Sequence, residues 1–113
     1  MSEFLFLYRG TGVYGSPEET QQYMQKWTAW FKGLEAQGRI KNIGHPLERT
    51  GKVVSGKQKM LHDGPFAESK DVISGYSLIE ADDLSIATEL SKGCPILEIG
   101  GHVEVRPIRV MNM

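Results

Sequence analysis

The stretch Ser16-Pro17-Glu18-Glu19 constrains this chain more than any other. Serine at an N-cap, proline at the first helical position and glutamate three residues after the cap form a capping box, a fairly specific helix start. Behind it Tyr23, Trp27, Trp30 with Phe31, and Leu34 recur at a helical period. Gly38 supplies the stop. At this spacing the two tryptophans read as a core stripe rather than an aromatic binding site.

Strand signals flank that helix. In FLFLYR (4–9), Phe4, Phe6 and Tyr8 share one face and Leu5 and Leu7 the other. Both faces are apolar, so the strand is expected to be covered on both sides. Gly44-His45-Pro46-Leu47 is extended or turning, because the residue before proline disfavours helix. Lys52–Ser55 and Gln58–Leu61 flank Gly56-Lys57, which suits a two-residue hairpin turn. Residues 72–79 form a longer strand with Gly75 as a possible bulge. Asp82 or Asp83 caps a second helix whose inner face is Leu84, Ala87, Leu90 and Ser91; Gly93 and Pro95 end it. In the last strand Val103 and Val105 face one way, and His102, Glu104 and Arg106 the other. The order predicts an α+β, ferredoxin-like βαββαβ plan with an extra hairpin, as one domain over residues 1–113. Such a plan puts both helices on one sheet face. An apolar open face would need a cover, and a second copy of the chain is the cheapest one, so a homodimer with facing sheets and a cavity is expected.

Totals exclude several function classes. Thirteen Lys and Arg against fourteen Asp and Glu leave a net charge of −1, without the basic excess of a nucleic-acid binder, so no direct nucleic-acid partner is expected. No apolar run approaches the ~18 residues of a membrane span, and MSEFLFLYRG reads as a strand rather than a signal peptide, so no membrane partner is expected. The single cysteine, Cys94, has neither a disulfide nor a CxxC partner and reads as a small buried residue. A cytoplasmic location is the expectation. The three histidines show no HxH or HxxxH spacing, so no metal site is expected. Gly10-Thr11-Gly12 lacks the rest of a phosphate-binding fingerprint.

Four constellations could carry chemistry. His62-Asp63 precedes Gly64-Pro65. A carboxylate near an imidazole suits general acid–base work, yet Asp in such a turn also caps its own backbone, and adjacent strand residues point to opposite faces. His45 can be a base or a surface residue. His102, Glu104 and Arg106 line a cavity if their face is interior and form a charge ladder if it is solvated. Glu68 and Lys70 can be functional or an exposed ion pair.

The stretch KMLHDGPFAESKDVISGYSLIEADDLSIATELSKGCPILEIGGHVEVRPI (59–108) resembles the DGPF-type branch of the YCII-related proteins. The similarity lies in the DGPFAE turn, Ser74-Gly75-Tyr76, the IEADDL start of the second helix, the GCP after it and the terminal VEVRPI. SPEETQQYMQKWTAWFKGLEAQGRI and PLERTGKVVSGK resemble the family's first helix and middle hairpin. The resemblance implies a dimeric α/β barrel of ferredoxin-like halves with a small-molecule pocket. It also implies cofactor-free acid–base chemistry, as in a lyase or isomerase; a dehydrochlorinase acting on a chlorinated hydroquinone is among the relatives. Those relatives carry a histidine on the first helix, where this chain has Thr20-Gln21-Gln22-Tyr23. Asp63 is the acid carried over, with His45 or His62 as helper. Phe66 and Tyr76 join His102, Glu104 and Arg106 as ligand-binding candidates. Association of some DGPF-type proteins with sigma factors implies the alternative of a non-catalytic, regulatory ligand-binding module.

Overall fold

The computed structural model describes residues 1–10, 15–64 and 71–112. Their elements run β1 (Ser2–Arg9), α1 (Pro17–Ala36), β2 (Ile40–Pro46), β3 (Gly51–Ser55), β4 (Met60–Gly64), β5 (Ile73–Ala81), α2 (Leu84–Ser91), a 3₁₀ turn (Pro95–Ile99) and β6 (His102–Pro107). Helix α1 starts where its capping box places it. The Ser16 side chain accepts the Glu19 N–H at 3.1 Å, which satisfies one of the amides a helix start leaves unpaired. Helix α2 is capped by Asp83, whose carboxylate accepts the Ile86 N–H at 2.9 Å. Ala87 and Ser91 are its buried residues, whereas Leu84, expected on the inner face, is exposed.

Four strands make one antiparallel sheet in the order β2-β5-β1-β6, and β3 and β4 pair separately. In the β1–β5 register Phe4 opposes Ile79, Phe6 opposes Ser77 and Tyr8 opposes Gly75. All six are buried on one face, under the Trp27, Trp30 and Phe31 stripe of α1. Phe6 stacks on Trp30 with ring centroids 6.2 Å apart. Val103 and Val105 of β6 pack against the same core. Cys94 is buried there too, and desolvation pushes its thiol up to about 12.

Two expectations are corrected. The dimeric α/β barrel is not formed: the sheet runs from β2 at one edge to β6 at the other without closing. Nor is β1 covered on both sides. Leu5 and Leu7 are only half-buried, and the open face also carries Arg9, Glu104 and Arg106 as an ionic cluster. Arg9 Nη2 lies 2.7 Å from Glu104 Oε1, and Arg106 Nη1 lies 3.1 Å from Oε2. The case for a second copy rested on an apolar face, and this one is mixed; an antiparallel sheet can present such a face to water. The chain is therefore an α+β fold with a small open antiparallel sheet and two helices.

The hairpin also differs from expectation. Its loop is the four residues Gly56–Lys59 rather than two, with Gly56 and Lys59 both at positive φ and the Lys59 N–H bonded to the Gly56 carbonyl at 3.1 Å. Strand β4 runs on through Asp63 and Gly64, so Asp63 is a strand residue opposite Lys52. The bulge expected near Gly75 falls beside it, between the Tyr8–Gly75 and Arg9–Ile73 pairs.

Candidate functional site

A cleft of about 530 Å³ opens between α1 and the end of the sheet where β2 meets β5. Its walls are aromatic and aliphatic. Tyr23, Trp27 and Phe31 come from α1, Tyr8 from β1, and Tyr76 from β5. His45, Glu48 and Arg49 supply polar groups at the exposed rim. A concave, mainly apolar site with a few polar groups is the usual make-up of a small-molecule pocket.

Local sequence explains the shape. Strand β2 breaks register twice, between Ile40 and Asn42 and again between Asn42 and His45. Asn42 drives the irregularity: its side-chain oxygen accepts the Gly44 N–H at 2.8 Å. Gly44 sits at φ +76° against β5, where a Cβ would lie 1.8 Å from the Tyr76 carbonyl oxygen. Only glycine fits that close approach. The irregularity leaves the Ile43 carbonyl to accept from the Ser77 hydroxyl at 2.6 Å. His45 then falls opposite Tyr76, with their rings 6.2 Å apart.

Tyr8 sets the inner wall. Opposite it stands Gly75, which has no side chain, and the tyrosine ring passes within 3.5 Å of where a Cβ would be. The phenol reaches across β5 to hydrogen-bond the wholly buried Ser77 at 2.8 Å. Trp27 packs edge-on against the Tyr8 ring with centroids 4.8 Å apart. Burial pushes the Tyr8 phenol far above its ordinary value, against the opposing effect of the Ser77 hydrogen bond, so it is a neutral hydroxyl at physiological pH.

The sequence candidates separate into three places. His45 and Tyr76 line the cleft. His62 and Asp63 lie on β4, outside the cleft lining; the Asp63 side chain is 89% exposed and pairs with Lys52 at 2.5 Å. His102, Glu104 and Arg106 are on the open sheet face. His102 is exposed there, and Glu104 is held below the usual carboxylate range, first by the hydrogen bond from Arg9 and then by that from Arg106. Phe66, Glu68 and Lys70 lie outside the described residues. Among the described residues no three His, Cys, Asp or Glu side chains gather as a metal site would require, and no helix is long and apolar enough to cross a membrane. Sequence reasoning passed over Tyr8, Ser77, Glu48 and Arg49, and it assigned Trp27 to the core alone, although Trp27 also faces the cleft.

Comparison with known proteins agrees with this fold. The model of the YCII-related domain matches residues 3–112. No curated protein matches. Among solved structures, the chain is similar to 5-chloro-2-hydroxyhydroquinone dehydrochlorinase from Burkholderia phenoliruptrix AC1100, solved in complex with 2,5-dihydroxybenzoquinone. That similarity has 18% sequence identity and a TM-score of 0.52, and covers 95% of this chain and 93% of that one.

Proposed function

The chain belongs to the YCII-related domain family, and on that premise we propose that it takes a small, flat, largely apolar molecule into the cleft between α1 and the β2–β5 edge. There it performs cofactor-free acid–base chemistry of the lyase or isomerase type. The observation that carries this reading is the cleft itself: about 530 Å³, walled by the aromatic residues Tyr8, Tyr23, Trp27 and Phe31, with His45 among the residues of its exposed rim. Rings such as Tyr23, Trp27 and Phe31 offer faces and edges to a flat ligand. His45 is the group placed to exchange a proton with it, and Glu48 and Arg49 supply the nearby charges. The dihydroxybenzoquinone held by the structurally similar dehydrochlorinase supports an oxygenated ring as the ligand type. The Asp63-Gly64-Pro65-Phe66 stretch supports placing the chain in the family's DGPF branch. Proton transfer is given to His45 rather than to Asp63, which is engaged by Lys52.

A panel of substituted hydroquinones, followed by absorbance for turnover and by thermal shift for binding, tests the reading. The expected outcome is turnover of at least one member, lost in His45→Gln while binding persists, and kept in Asp63→Asn. Absence of binding across the panel sinks it.

A second reading is a ligand-binding module without turnover. It is favoured by the surroundings of His45: among the described residues it contacts the Tyr76 ring, and no carboxylate hydrogen-bonds it to fix its tautomer, as most catalytic histidines require. That reading expects binding with no turnover of any bound member.

A further inference from the structure

The hydrogen bonds behind the cleft wall run in one direction only. A carbonyl oxygen has no proton to give, so the 2.6 Å contact between Ser77 and Ile43 uses the single Ser77 hydroxyl proton. Ser77 therefore has none left for Tyr8, and the 2.8 Å contact between those two oxygens must be donated by the Tyr8 phenol. The terminal acceptor belongs to the backbone, held by the Asn42–Gly44 irregularity, so the chain cannot reverse by rotating a side chain. Ser77 is wholly buried and lies behind the lining, whereas Tyr8, Ile43 and Gly75 form part of it. Tyr8 is thus a lining residue whose hydroxyl proton is turned inward to Ser77. Among the described residues it accepts no hydrogen bond, and its lone pairs are what it has left for a ligand.

We propose that Tyr8 determines the specificity of the cleft by accepting, and never donating, a hydrogen bond from the ligand. The favoured ligand is an aromatic ring bearing a hydroxyl or N–H donor. The same ring bearing only a carbonyl or ether oxygen sets lone pair against lone pair and is disfavoured, so a hydroquinone is preferred to the corresponding quinone. This inference rests on the cleft being the binding site, as proposed above. A site with a buried polar group discriminates strongly against a ligand that cannot complete its hydrogen bond.

Amide chemical-shift titrations with 2-naphthol and 2-methoxynaphthalene, which differ in whether the oxygen carries a proton, test it in the full chain. Tyr8→Phe removes the acceptor while keeping the ring, and so isolates the hydrogen bond from the extra methyl group of the ether. The naphthol-over-ether preference is expected to fall about fivefold from wild type to Tyr8→Phe, the worth of one neutral hydrogen bond. In Ser77→Ala the Tyr8 proton is released to the cleft, and the ether is expected to gain affinity relative to the naphthol. Far-UV circular dichroism checks that both variants fold, and Tyr8→Phe decides the matter alone if Ser77→Ala does not. An unchanged preference in Tyr8→Phe overturns the role of Tyr8 while leaving the cleft as the site. If neither probe moves the amides of residues 43–47 and 74–76, the cleft reading falls and this inference with it.

Discussion

The four-stranded sheet under α1 and the β3–β4 hairpin both carry apolar, β-prone residues, yet they use them in opposite ways. In β1 and β5, Phe4, Phe6, Tyr8 and Ile79 are buried because α1 lays its aromatic stripe over them. In the hairpin Val54 and Leu61 remain 65% and 66% exposed. A two-stranded ribbon with no cover is marginal in water. Burial here follows from a covering element rather than from the apolar character of the strand. The same contrast governs the polar groups. Tyr8 and Ser77 sit where an unmade hydrogen bond is costly, so their geometry is fixed. Asp63 and Lys52 face each other in water, where an ion pair contributes little.

The widest separation between the regions should come from truncation. Phe6→Ala leaves a cavity in the middle of the core and should cost about 3–5 kcal/mol in chemical denaturation. Leu61→Ala on the hairpin should stay within about 0.5 kcal/mol. A comparable loss for both would break the distinction. Next comes Gly44→Ala, which combines a left-handed backbone with a collision against the Tyr76 carbonyl. It should cost about 2 kcal/mol or more and shift the amides of β2 and β5 while leaving those of the hairpin in place.

A smaller effect is expected from the open sheet face. Glu104 has a lowered folded-state pKa because Arg9 and Arg106 hydrogen-bond its carboxylate. Its stabilisation is therefore complete above the unfolded glutamate value of about 4.3 and is lost as pH falls through the lower folded value. Glu104→Gln should flatten that part of the acid limb of a stability–pH curve. An acid limb identical to wild type would show that the cluster contributes nothing. Smallest of all, Asp63→Asn should change stability by under about 1 kcal/mol, with the effect shrinking further in high salt.

Local signals carried much of the fold. The capping box located α1, and Asp83 was one of two caps considered for α2. The alternation in β6 correctly separated Val103 and Val105 from His102, Glu104 and Arg106. Local signals failed where the answer depends on what lies opposite. Leu5 and Leu7 read as buried because nothing in FLFLYR records which face receives the helices. The barrel came from the resemblance and not from any residue pattern, and among the described residues the sheet ends at β2 and β6 without closing. The cleft was the least legible part. Tyr8 and Ser77 are 69 positions apart in the chain, and the Ile43 carbonyl becomes available only through a double break in register. Asn42-Ile43-Gly44 was the one readable hint, since asparagine bonding its own backbone two residues on is a known turn device. Gly75 was read as a bulge, whereas its larger part in the site is to make room for the Tyr8 ring.

Hydrogen exchange with and without saturating 2-naphthol tests most directly whether binding belongs to the cleft and not to the hairpin. Protection is expected to rise at the amides of α1 around Trp27 and Phe31, at residues 43–47 and at residues 74–76, with residues 51–64 unchanged. Protection confined to residues 51–64, or no change anywhere, would contradict the account.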